Sequence, residues 1–125
     1  MSFPIEFYHY LKNHTLIQIK GGTERDSFLS IWMVEVEGRI FARSWNKSNR
    51  SWFTEFENTG VGEIKYGNYI LNVEGKKLNK QDLFNELIDQ AYLLKYTQPE
   101  NIKYAEGISK PEYADYTMEF LMKKD

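Results

Sequence analysis

The side chains best suited to holding an anion are gathered in one stretch, RIFARSWNKSNRSWF, positions 39–53. Arg43 and Ser44 close an apolar run, after which Lys47 and Arg50 add two cations, Ser48 and Ser51 hydroxyls, and Asn46 and Asn49 amides. A guanidinium gives fork-shaped bonds to a phosphate or carboxylate, and hydroxyls and free backbone N–H groups can complete the shell. Trp45 and Trp52 bracket the stretch, and either indole could lie against a flat ring. The same composition also describes a wet surface loop whose tryptophans are core or interface anchors and whose arginines stack on them. Both readings stay open on these residues alone.

Other chemistry is thinly represented. His9 and His14 are the only histidines and do not stack as an i, i+4 pair, so no metal site is expected. With no cysteine there is no thiolate nucleophile, disulfide or thiolate metal site. Serine–histidine–acid catalysis lacks its glycine elbow, and the phosphate-cradling glycine motifs are missing. Gly60-Val61-Gly62 reads as no more than the start of a strand, and Glu86 with Asp82 or Asp89 as a solvated helix face. Lys95 falls inside the apolar arc of a helix, so it either snorkels its amine to water at the helix end or delivers an ammonium to an anion beside the sheet. Tyr92 and Tyr96 flank it.

The elements that must position these groups follow from periodicity. Ser2 and Pro4 open a short helix with Phe3, Phe7 and Leu11 on one face, ending near Asn13. Leu16 to Lys20 reads as a strand, followed by the glycine-bearing connection KGGTERDS. Two apolar β-rich runs then meet at Glu37-Gly38, a two-residue hairpin loop that sets Val36 opposite Arg39, Val34 opposite Phe41 and Trp32 opposite Arg43. A second hairpin turns at Gly67-Asn68, and YTMEFLM alternates as a final strand. Between them a helix runs from an Asn79 cap, with Leu83, Phe84, Leu87, Ile88, Ala91 and Leu94 as its buried stripe, and Pro99 bars its continuation. Six strands make a barrel-sized sheet in one domain spanning 1–125.

Trp32, Val34, Val36 and Phe41 lie on one face of the first hairpin and Ile31, Met33, Ile40 and Ala42 on the other, so both faces need cover. The rest of a barrel, a packed helix or a second copy could supply it, and a homodimer is expected. Sixteen basic and eighteen acidic residues leave a charge of −2, too little to draw in nucleic acid. Neither a signal peptide nor a membrane span is evident, and a cytoplasmic location follows.

Taken together, IWMVEVEGRIFARSW, RSWF, LIDQAYLLKY and YTMEFLM resemble, in order and spacing, a bacterial family catalogued as domain-of-unknown-function family 2255. The helix motif spanning Ile88 to Tyr96 is the most specific part. That family looks like a branch of the split β-barrel proteins related to pyridoxamine-phosphate oxidases and to flavin and deazaflavin reductases. The resemblance implies a mainly β (α+β) fold: a small antiparallel split β-barrel with an N-terminal helix and one longer helix packed outside. It also implies a dimer holding FMN or a deazaflavin, an oxidoreductase-like role, phosphate ligands where Arg43 and Ser44 stand, and, at Lys20 to Arg25, a place near the glycine-bearing turn that deazaflavin reductases use. Arg50 would add to the phosphate shell, Trp52 would bound the ring and Lys95 would add charge. The alternative from another class is a non-catalytic dimeric interaction or small-ligand module. Departures from the pattern are Trp45, Asn46 and Lys47, where relatives carry a glycine after the RS pair, and the KGGTERD turn, which lacks the small-residue and basic pattern typical of deazaflavin binders.

Overall fold

The computed structural model describes residues 3–45 and 51–123. Seven antiparallel strands form one curled sheet: β1 (Ile17–Gly21), β2 (Leu29–Ile31), β3 (Val34–Val36), β4 (Arg39–Arg43), β5 (Val61–Tyr66), β6 (Tyr69–Lys77) and β7 (Thr117–Met122). Their order is β2-β1-β5-β6-β7-β4-β3, so the edge strands are β2 and β3, which are consecutive in the chain and separated only by Trp32 and Met33. The sheet therefore bends into a half-barrel whose two rims are joined by that dipeptide. This is the mainly β architecture expected from the sequence, with one strand more because the apolar run 29–36 is divided.

Both hairpins turn where expected. Val36 pairs with Arg39 and Val34 with Phe41, and Glu37 and Gly38 both hold positive φ, of 53° and 84°, the demand of a type I′ loop. Tyr66 pairs with Tyr69 around Gly67-Asn68. The expected Trp32–Arg43 pair does not form. The chain leaves the ladder at Met33, Trp32 stacks on Tyr96 with ring centroids 3.9 Å apart, and the Arg43 N–H is met instead by the Tyr92 hydroxyl at 2.9 Å.

Each face of the first hairpin is covered from within the chain. Met33, Ile40 and Ala42 join the barrel interior with Phe7 and Leu11 of α1 (Ile5–Asn13) and Trp52, Phe53 and Phe56 of α2 (Trp52–Thr59). Val34, Val36 and Phe41 pack on the other side against Ile88 and Tyr92 of α3 (Phe84–Lys95), Tyr96 just beyond it, and Ala105 and Ile108 of α4 (Ile102–Ile108). The need for cover thus gives no argument for a second copy.

Helix α2 is absent from the periodicity, although its ends are marked. The Ser51 hydroxyl accepts the Thr54 N–H at 3.1 Å, and Gly60 closes the helix in the left-handed region with φ 76°. Phe56 seats this helix on a trench of glycines from three strands. A Cβ on Gly62 would lie 2.4 Å from the Phe56 ring and 2.3 Å from the Lys20 carbonyl, and one on Gly75 would lie 2.4 Å from the same ring.

Helix α3 is shorter and turned relative to expectation. Asn79 does not cap it: its side chain accepts the Gln81 N–H at 2.8 Å, and Asp82 accepts the Phe84 N–H at 2.9 Å. Leu83 and Leu94, expected on the buried stripe, are 81% and 79% exposed. Of the expected stripe, Ile88 is buried and Phe84, Leu87 and Ala91 pack partly buried against the same cluster, while Asn85, Tyr92 and, beyond the helix, Tyr96 extend the buried face away from Leu83 and Leu94. Polar groups that find partners on the sheet, and not leucines, decide the rotation.

Candidate functional site

Arg43 ends β4, and its side chain is fully enclosed. The guanidinium pairs with Asp89 of α3 through Nη1. Nη1 also donates to the Ile108 carbonyl at 3.1 Å, Nε to the Thr117 hydroxyl at 2.9 Å, and Nη2 to the Asn85 side-chain oxygen at 3.2 Å. A buried charge needs such a shell, since each unmet donor would carry its own desolvation penalty. With these donors committed inside the chain, the expectation that Arg43 grips a phosphate gives way to a positioning role for β4 on α3.

Lys95 also turns to the backbone. Its Nζ donates to the Met33 carbonyl at 2.8 Å, while the Tyr96 hydroxyl accepts the Met33 N–H at 3.0 Å and donates to the Thr15 carbonyl at 2.7 Å. These two side chains satisfy both polar groups of the residue at which β2 gives way to β3. Neither snorkelling nor anion delivery describes this. Burial lowers the Lys95 amine from its ordinary value to about 8 and raises the Tyr92 hydroxyl to about 12; it raises Tyr96 further still. Lys95 lines a depression between α1 and α3, apart from the cleft described next.

Ser44 and Trp52 do come together with Arg43, around a cleft of about 360 Å³ between β1, β2, the end of β4 and the start of α2. Such a volume falls at the lower end of ligand sites, roughly 300–1,000 Å³. Trp52 is only 6% exposed, held edge-on by Phe53 and Phe56, so it forms part of the cleft's floor. The more open indole is Trp45, set edge-on to Tyr113 at 5.0 Å. Arg50 lies outside the described residues.

The cations that open on this cleft are Lys20 and Arg25, from the end of β1 and the turn that follows it. Lys20 stands 3.3 Å from Glu63, and its amine is 4.5 Å above the Phe28 ring. Arg25 is 3.7 Å from Glu55 and remains substantially exposed. Serines 27, 30, 44 and 51 add hydroxyls, and no Asp, Glu or His is found among the described lining residues. The glycine-bearing turn singled out in the sequence therefore brings Lys20 and Arg25 to the same cleft as the RS pair.

The model of a family described as an uncharacterized protein conserved in bacteria (DUF2255) matches residues 14–120. The chain belongs to this family. Four residues of the stretch Ile88 to Tyr96 seat it on the sheet: Asp89 and Tyr92 bind Arg43, and Lys95 and Tyr96 bind Met33. No curated protein matches the chain. Among solved structures, the conserved hypothetical protein Rv2991 from Mycobacterium tuberculosis is similar, with 8% identity and a TM-score of 0.56 over 99% of this DUF2255 chain and 82% of that one. At such low identity the likeness is one of fold. Among the described residues no helix is long and apolar enough to cross a membrane.

Proposed function

We propose that the cleft binds a small molecule with a flat ring and an anionic group, of the FMN or deazaflavin class, in an oxidoreductase-like cytoplasmic protein. The observation that carries this reading is the make-up of the wall: Lys20 and Arg25, four serine hydroxyls and three indoles, with no carboxylate among the described lining residues. Lys20, Arg25 and Ser44 would hold the anion, and Trp45 and Trp52 would bound the ring. Arg43 positions Ser44 by anchoring the end of β4. A bound flavin or deazaflavin would supply the hydride chemistry itself. Leu16, Leu29 and Trp45 are each about half exposed at the rim, an apolar mouth that a second copy would cover in a homodimer.

A non-catalytic small-ligand module is the second reading. It is favoured by the lack of any Asp, Glu, His or Tyr among the described lining residues. Titration with FMN and with a deazaflavin, followed by flavin fluorescence, separates the two. Quenching that weakens at least about tenfold in a Lys20→Ala/Arg25→Ala variant, the loss of roughly one charge-assisted contact, is the outcome expected of the cofactor reading. An unchanged signal with both compounds would overturn it in favour of the binding module.

A further inference from the structure

We propose that Lys95 is a site of covalent acyl capture, its amine taking an acyl group from a small acyl phosphate or thioester. The site is independent of the cleft and depends on where the amine is held. Lys95 closes α3 with its Nζ on the Met33 carbonyl, and it forms no ion pair with a carboxylate among the described residues. An exposed lysine stays protonated in water, whereas this amine is largely removed from water without a counter-charge. Such an environment favours the neutral, nucleophilic form.

Access is provided on one side. Lys95 lines an open depression of about 610 Å³ between α1 and α3, room for a small acyl donor. The titratable groups that line it there are His9, Lys12 and Tyr8 from α1 and Glu35 from β3, and the ring centroid of Tyr96, next in the chain, lies 5.3 Å from Nζ. Any positive charge on His9 or Lys12 disfavours the ammonium, whereas Glu35 and the Tyr96 ring favour it. Burial prevails, bringing the amine to about 8. In the reaction the Nζ lone pair attacks the acyl carbon, an N–C bond forms, the phosphate or thiolate leaves with its electron pair, and the amine's proton passes to water. No redox partner is required, and the amide product keeps one N–H for the Met33 carbonyl.

At pH 8 about half of this amine is neutral, against well under one per cent of an ordinary lysine, roughly a hundredfold difference. Lower basicity reduces intrinsic nucleophilicity by roughly tenfold, leaving about a tenfold advantage. The experiment is competitive labelling of the native full-length chain with limiting acetyl phosphate, and separately with acetic anhydride, followed by peptide mapping from pH 6.5 to 10.5. Lys95 should acetylate about tenfold faster than exposed Lys103 and Lys110 at pH 8, with a rate midpoint near 8. The advantage should disappear when the chain is labelled in denaturant. A Lys95 rate at or below that of Lys103, or a midpoint shared with the surface lysines, overturns the proposal. Lys95→Arg, which keeps a donor for Met33, verifies the assignment of the labelled peptide.

Discussion

Arg43 on β4 and Asp89 on α3, 46 positions apart, are joined as an ion pair whose guanidinium side is entirely out of water and whose carboxylate side is one-third exposed. The pair fastens the long helix to the sheet at the strand end that also carries Ser44 into the cleft. Removing Asp89 would leave an enclosed guanidinium with only neutral acceptors. Asp89→Ala should therefore lower unfolding free energy by about 3 kcal/mol, read as a reduced urea midpoint with an unchanged slope. Asp89→Asn, which keeps an acceptor oxygen, should lose clearly less.

Tyr96 tests the seam between the two rims. Replacing it with Phe keeps the stack on Trp32 but removes the hydroxyl that serves the Met33 N–H and the Thr15 carbonyl. A loss of about 1–3 kcal/mol is expected from the buried groups left unmet. Amide exchange should accelerate at Met33 more than at Ile64 in the middle of the sheet, and equal acceleration at both would contradict this role for the hydroxyl.

Gly62→Ala addresses the seat of α2. Its new methyl would meet the Lys20 carbonyl and the Phe56 ring far inside contact distance, so the helix or the strand must shift. Overpacking of this kind costs about 1–3 kcal/mol. The thermal midpoint should fall, and pairing the change with Phe56→Leu should restore part of the loss. At Gly38, where a Cβ would meet nothing within 4 Å but φ is 84°, alanine should be unfavourable through backbone strain alone.

Lys95 gives stability a particular pH dependence. In the fold its amine titrates near 8 and in the unfolded chain near 10.4, so between those values the unfolded state binds the proton more tightly. Its contribution disfavours folding below pH 8 and is relieved as pH rises toward about 10.4. Tyr92, held up to about 12, acts in the opposite direction above about pH 10, where unfolded tyrosine has ionised. Urea titrations at pH 7.5 and 9.5 should show a rise in stability that Lys95→Met lacks. An identical slope for both proteins would show that Lys95 does not titrate in this window.

The hairpin at Glu37-Gly38, its register as far as Val34 and Phe41 and its two apolar faces were legible in the sequence because strand alternation and turn chemistry are local. The rotation of α3 was not. Hydrophobic periodicity gives Leu83 and Leu94 full weight and Asn85, Asp89 and Tyr92 little, yet those polar residues make the contacts that seat the helix. The break at Trp32-Met33 was hidden for a similar reason, since no glycine, proline or asparagine marks it and its backbone partners come from Lys95 and Tyr96, more than sixty positions away. For the cleft, the residue types were recognised at Arg43, Ser44 and Trp52, whereas the accessible cations proved to be Lys20 and Arg25. A sequence displays a guanidinium equally well whether it will face a ligand or a carboxylate from its own chain.

The dipeptide between β2 and β3 makes no cross-strand pair, and every ladder in the sheet is formed by other residues. Cutting the chain there would erase no rung of the sheet while releasing the tie between its two margins. The half-barrel thus has a built-in clasp, and its curvature is governed by a fastening distinct from the hydrogen bonds that hold its staves together.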